Sequence, residues 1–283
     1  MSGTTITSKT SEEVVYLRPS RGWIHLNLKD LWRYRELIYF LTWRDVKVRY
    51  KQTVLGAGWA ILQPLINMVV LTIIFGRFAN MPTEGIPRPI YTFTALLPWG
   101  LFAKALSDAG RSMLANRSMI TKIYFPRLII PLASVMGGMV DFLIQFAILI
   151  MMMLYYRYSP NLAVFALPLF LLLALATALG FGLWLSALNV LYRDVNYILP
   201  FLTQLWLLVT PVAYSSRVVP SQWQWLYALN PMVGVVEGFR WAMLDAPPPD
   251  IQTLAISTLI TFIVLVTGMY YFRRMERTFA DLV

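Results

Sequence analysis

An all-α integral membrane protein with six transmembrane helices is the fold class predicted by the sequence, and three observations carry it. Of the 283 residues, 58% are hydrophobic and only 13% are charged, about half the charge of a soluble domain. The apolar residues gather into six stretches that meet the roughly 20 residues a helix needs to cross hydrocarbon, the third and fourth long enough to tilt. Lys and Arg are distributed very unevenly between those stretches.

In chain order, residues 1–36 are a polar segment with no charged-then-apolar leader pattern, so no cleaved signal peptide is expected there. Residues 37–56 read as an amphipathic interface helix. Within them Tyr39, Trp43, Val46 and Tyr50 fall on one stripe at helical spacing, and Arg44, Lys47 and Lys51 fall on a neighbouring one. Basic residues beside aromatics suit a helix lying in the membrane surface. Residues 57–283 form the membrane domain. Its expected spans are Ala57–Phe78, Tyr91–Ala109, Leu128–Tyr156, Leu162–Val190, Tyr197–Tyr214 and Ile251–Phe272.

Residues 220–244 are apolar, but Pro231, Gly234 and Gly238 interrupt them, so a seventh span is not expected. Two short helices that dip into the outer leaflet and return fit better. Irregular backbone at membrane depth survives only where protein or a water-filled cavity covers it.

Nineteen of the 24 Lys and Arg residues fall in the N-terminal segment, the links between spans two and three and between four and five, and the C-terminal tail; five fall on the other side. The positive-inside rule places the nineteen in the cytoplasm, and with them both termini. The formal net charge of +10 is therefore read as topological, not as a nucleic-acid footprint.

Several chemistries are excluded. The chain has no cysteine and a single histidine, His25, which removes thiolate sites and histidine-based triads. It has no G-x-x-x-x-G-K-[ST], so no P-loop nucleotide site, and neither H-E-x-x-H nor an EF-hand loop. The ionisable residues within expected spans are Lys104, Asp108 and Asp141. Lys104 and Asp108, one helical turn apart, are expected to pair, and Asp141 must face protein or water. A membrane-embedded glycan or lipid transferase, the alternative from a different class, would need acidic residues clustered at a membrane face, where Asp194 beside Arg193 is the one unaccompanied candidate; an ion-coupled transporter would need inverted repeats and more buried charge, and neither is apparent.

Between spans two and three, NRSMITKIYFPR (Asn116 to Arg127) is a basic, amphipathic stretch. Proline disfavours helix for the residue before it, so a short helix should end at Phe125. A rigid helix in that position is a lever by which a cytoplasmic partner would move the membrane helices.

Four runs resemble one family: WRDVKVRYKQTVLGAGWAILQP (Trp43 to Pro64), ITKIYFPRLIIPLA (Ile120 to Ala133), LNVLYRDVNYILPFLTQLWLLVTPVAY (Leu188 to Tyr214) and YALNPMVGVVEGFRWAML (Tyr227 to Leu244). They are similar to the polysaccharide-exporting permeases of the type-2 ATP-binding-cassette transporters, among them O-antigen, capsule and teichoic-acid exporters. The resemblance implies a homodimer in the bacterial cytoplasmic (inner) membrane, joined by two copies of a separate ATPase subunit that binds ATP and Mg. This chain itself would be no enzyme and hold no cofactor. The implied substrate is a polysaccharide on a polyprenyl-pyrophosphate lipid. Segment 112–127 would carry the ATPase-coupling residues Arg117, Lys122, Phe125, Pro126 and Arg127, and 220–244 would be a re-entrant pair facing the periplasm. Arg44, Lys47, Arg49 and Lys51 become candidates for receiving the pyrophosphate or contacting lipid headgroups. Phe75, Tyr91, Phe93, Trp99, Phe102 and Trp206 are candidates for lining a glycan channel, because aromatic faces stack on the C–H faces of sugars. A drug or small-lipid exporter of the same fold is the nearest alternative.

Overall fold

The computed structural model describes residues 28–51, 56–123, 125–276 and Phe279. His25, most of the polar N-terminal segment, the 52–55 end of the expected interface helix and Arg277 of the tail lie outside the described residues. Among the described residues the secondary structure is helical throughout, with no strand.

The helices are α1 (Leu28–Arg33), α2 (Arg35–Lys51), α3 (Gly56–Ile73), α4 (Arg88–Ala115), α5 (Arg117–Ile120), α6 (Ile129–Gly137), α7 (Met139–Tyr156), α8 (Leu167–Leu191), α9 (Val195–Val209), α10 (Gln224–Ala228), α11 (Pro231–Leu244) and α12 (Ile251–Met275). A π-helical turn, Ile74–Phe78, extends α3, and a 3-10 turn, Leu162–Ala166, leads into α8. Four helical stretches are long and apolar enough to cross a membrane: Gly58–Phe78, Ile129–Tyr156, Leu162–Leu191 and Ile251–Met275. They coincide within a few residues with the first, third, fourth and sixth expected spans.

The other two expected spans differ from these four. Helix α4, at 28 residues, is about 42 Å long, but Arg88, Lys104, Asp108 and Arg111 lower its hydropathy. It is the hub of the bundle, packing most extensively against α8 and also against α3, α6, α7, α9 and α11. Its protein-facing position lets it carry buried Thr92, Thr94 and Ser112. Helix α9 has 15 residues and stops at Val209, short of the expected Tyr214, because Pro211 follows Thr210 and disfavours helix there.

Small residues bring the helices close, as is usual where lipid removes the hydrophobic drive. Helices α8 and α12 meet at Gly180 and Gly268, where a Cβ on Gly268 would stand 2.4 Å from the Gly180 carbonyl oxygen. The Thr177 and Thr261 hydroxyls hydrogen-bond across the same interface at 2.9 Å. The outward sides of α3, α8 and α12 keep large apolar side chains exposed, among them Ile66, Val70, Leu172 and Phe262.

Segment 220–244 holds two helices. α10 is short, and α11 begins at Pro231, with the Asn230 side chain accepting from the Met232 amide, a favourable N-cap with proline in the first turn. Most of α11 is buried against α4, α8 and α12. Pro247–Pro249 cannot continue a helix, and Asp250 then caps α12 by accepting from the Thr253 amide at 2.9 Å.

Candidate functional site: a charged cluster beside a polar cleft

Helix α2 covers the expected interface segment but faces the bundle differently from the predicted stripe. Leu41 and Val46 are buried, whereas Tyr39, Phe40 and Trp43 stand exposed. The stripe splits because polar side chains share the inward face. The Thr42 hydroxyl donates to the Ala133 carbonyl at 3.2 Å, and Arg49 reaches α4 and α7.

Arg49 is the centre of a four-charge cluster. Its guanidinium donates to Asp141 at 3.0 Å and to Asp108 at 3.0 Å. The Lys104 ammonium lies 3.2 Å from Asp141, so its partner is Asp141 on α7 and not, as expected, Asp108 one turn along α4. The Tyr50 hydroxyl also donates to Asp141. Burial and the adjacent Asp141 carboxylate push the Tyr50 phenol up, so it stays protonated as a donor. Two cations and two anions cancel, which suits a cluster at the edge of the hydrocarbon.

Arg44 points to a different place. It pairs with Asp45 at 2.8 Å and donates to Asn116 at 2.7 Å. Asn116 is the elbow between α4 and α5, and its own amide donates to the Ser112 carbonyl at 2.9 Å. The surface helix is thereby tied to the start of the expected coupling segment. That helix ends at Ile120, earlier than the expected Phe125, and the Thr121 hydroxyl donates to the carbonyls of Arg117 and Ser118.

The coupling candidates fall into two groups. Arg117 and Lys122 are exposed. Phe125 is buried beside Ile120, Leu41 and Phe272, Pro126 is half-buried, and half-buried Arg127 is tied by its amide to Glu276 at 3.2 Å, with its guanidinium 5.9 Å above the Phe279 ring. The first group is open to a partner, and the second anchors the segment to α2 and the end of α12. Of the headgroup candidates, Lys47 and Lys51 are exposed, while Arg44 and Arg49 are held by carboxylates.

Against the charged cluster lies a cleft of about 570 Å³ between α3, α4 and α7. Trp59, Gln63 and Asn67 line it from α3, Trp99 and Ser107 from α4, and Gln145 from α7, with Arg49, Lys104 and Asp141 at one end. The α3 residues are spaced four apart and so form one polar and aromatic stripe on an otherwise apolar helix. That spacing is legible in the sequence.

Of the six aromatic channel candidates, Trp99 borders this cleft, although it is only 4% exposed and packs on Phe102 at 5.3 Å. Phe93 and Phe102 are buried inside the bundle, and Phe102 packs edge-on against Trp206 at 4.9 Å. Trp206 donates to Asn230 at 2.9 Å. Phe75 stacks on Tyr214 at 6.0 Å. Tyr91 lies under the Arg240 guanidinium at 3.6 Å, near the other end of α4. It is 17 residues from Asp108, or about 25 Å along the helix.

Among the described residues, apolar helices thus gather charged and amide side chains around one cleft. Comparison with known proteins gives the family. The chain is 27% identical to the O-antigen export system permease protein RfbA of Myxococcus xanthus, covering 90% of this chain and 98% of that one. It is 27% identical to RfbA of Klebsiella pneumoniae, covering 88% and 95%. It is 25% identical to the polysialic acid transport protein KpsM of Escherichia coli, covering 82% and 91%. The family model described as "ABC-2 type transporter" matches residues 36–244, and this chain belongs to that family.

Proposed function

We propose that the chain is the membrane-spanning subunit of an ATP-driven exporter that moves a lipid-linked polysaccharide across the bacterial cytoplasmic membrane. The observation that carries the reading is the cleft wall of Trp59, Gln63, Asn67, Trp99, Ser107 and Gln145. A long polar polymer cannot cross hydrocarbon unlined. Amides and hydroxyls satisfy sugar hydroxyls, and indoles stack on sugar C–H faces. The relatives named for O-antigen export and for polysialic acid transport support the same substrate class.

In this reading six helices span, with α4 and α9 joining the four long apolar ones, and α10 and α11 dip in from the periplasmic side without crossing. Both termini, α2, α5 and the charged cluster lie on the cytoplasmic side, where Lys and Arg concentrate. Tyr39, Phe40 and Trp43 rest in the headgroup region. Two copies of the chain face each other so that their clefts form one path, and two copies of an ATPase subunit, which hold the ATP and Mg, bind below.

Closure of the ATPases presses on exposed Arg117 and Lys122. Phe125 and Arg127 hold the far end of the segment, so the force passes through the Asn116 elbow and Arg44 into α2. Helix α2 is linked by Arg49 to α4 and α7, which flank the cleft. The pyrophosphate of the substrate meets Lys47 and Lys51 at the membrane surface and competes with the carboxylates for Arg44 and Arg49.

The test is deletion of the gene, with extraction of lipid-linked glycans and staining of the cell surface. Polymer accumulating inside beneath a bare surface is the expected result. A normal surface without accumulation, in a strain whose genome holds no second exporter, would refute the reading and favour a drug or small lipid as cargo.

A further inference from the structure

At the end of α4 opposite the charged cluster, the structure encloses a second polar chamber of about 410 Å³, within the size range of small-ligand sites. Its frame is Arg240, which is buried. Arg240 lies 3.6 Å over the Tyr91 ring and donates to the carbonyls of Val212, Tyr214 and Tyr91 at 2.7, 3.3 and 3.4 Å. This ties α11, α4 and the 212–214 turn together, so the wall is preorganised. Glu84 accepts from the Ser215 hydroxyl at 2.6 Å, and Glu237 accepts from the Ser216 hydroxyl. Each carboxylate offers about four acceptor positions, so both keep lone pairs for a ligand. Arg217 and Gln224 are exposed at the mouth, Arg217 lying 3.8 Å from Glu84. Tyr227 and the Pro247–Pro249 run add apolar wall.

We infer that this chamber binds a neutral sugar unit, held by Glu84, Glu237 and Gln224 and packed against Tyr227. Planar carboxylate and amide groups match pairs of neighbouring ring hydroxyls, and a phenol ring matches a pyranose C–H face. The charge balance selects neutral sugars. Glu84, Glu237 and Asp250 line the chamber against two guanidinium groups, one of which is already committed to backbone carbonyls and the other to Glu84. An anionic sugar therefore finds no uncommitted cation there. Physiological use of the site, as a hold on the glycan emerging at the outer face, rests on the polysaccharide-export reading.

The test is saturation-transfer NMR on the full chain in lipid nanodiscs. Mannose, galactose and rhamnose serve as neutral probes, glucuronate as the anionic probe and glucosamine as the cationic one. Transfer to the ring protons of at least one neutral sugar is expected, with none to glucuronate. Glu237→Gln and Gln224→Ala are each expected to weaken binding about tenfold, the loss of one charge-assisted or amide hydrogen-bond set. Gln224 is exposed, so its replacement leaves the fold intact even if the other variant does not. Absence of transfer to every neutral sugar, transfer to glucosamine only, or undiminished transfer in both variants would overturn the inference. An export phenotype on gene deletion without sugar binding would sink the chamber alone; sugar binding without an export phenotype would sink the export reading alone.

Discussion

Replacing Asp141 with asparagine should loosen the surface helix from the bundle. Asp141 is nearly buried, with 9% of its side chain exposed, and it faces Arg49 at 3.0 Å and Lys104 at 3.2 Å. At an effective dielectric constant of about 20, each contact has a gross attraction of roughly 5 kcal/mol, most of it offset by the desolvation of both ions. Removing one partner of a fully buried pair costs about 3–5 kcal/mol, because the other charge is left uncompensated. Here Arg49 and Lys104 are 29% and 32% exposed and Asp108 still holds Arg49, so water and that carboxylate recover part of the loss. The expected cost is about 2–3 kcal/mol. Equilibrium unfolding in mixed micelles, followed by tryptophan fluorescence, measures it. Lys104→Met combined with Asp141→Leu should recover most of the loss, since a well-packed apolar pair replaces a buried ion pair at little cost. A change below about 0.5 kcal/mol for Asp141→Asn would refute the reasoning, placing the cluster in effectively bulk solvent.

Other consequences can be tested in the same preparations. Gly268→Val places atoms against the Gly180 carbonyl, which cannot move aside. It should splay α8 from α12 and cost at least about 1–3 kcal/mol, read as a lowered unfolding midpoint. Asn116→Ala removes the acceptor of Arg44; export should fall severalfold while purified complex still assembles and hydrolyses ATP. The pH dependence of stability should carry a Glu237 contribution. Burial, foremost, raises its carboxyl above the ordinary range, with Glu84 adding to the rise and Ser216, Arg240 and Arg217 opposing it; Tyr91 and Tyr227 line the same chamber. The folded state therefore binds this proton more tightly than the unfolded chain. Its stabilisation is complete below the ordinary carboxylate pKa and is lost as pH rises through the raised one. Unfolding midpoints of the parent chain and Glu237→Gln, measured across that window, should diverge as pH increases.

The apolar runs announced four spans because each is a long, predominantly apolar stretch facing lipid or the bundle, and hydropathy reads such runs directly. The burial of α4 was less legible. Its Lys104, Asp108 and Arg111 depress hydropathy, and the six helices that pack around it are visible only in the fold. The two-helix form of segment 220–244 was legible from Pro231, whose fixed φ and missing N–H suit the first turn of a helix. The charged cluster was not. Arg49 stands 59 residues from Asp108 and 92 from Asp141 in the chain, and a local rule chose the partner of Lys104 by spacing alone. The tertiary fold puts Asp141 nearer. Likewise, aromatic content cannot separate a lining residue from a packing one. Phe93 and Phe102 are core, whereas Trp59 faces the cleft.

The absence of cysteine makes the most direct test of the central claim practical. A single cysteine at Gln63 carries a photoreactive benzophenone, and a second at Leu172, exposed on the outward side of α8, serves as the comparison. After illumination in cells making the glycan, the protein is purified and probed for covalently attached sugar polymer. Glycan attached through position 63 and not through position 172 is the predicted result. No glycan at position 63, or equal amounts at both, would contradict the assignment of this cleft to the path of a polysaccharide.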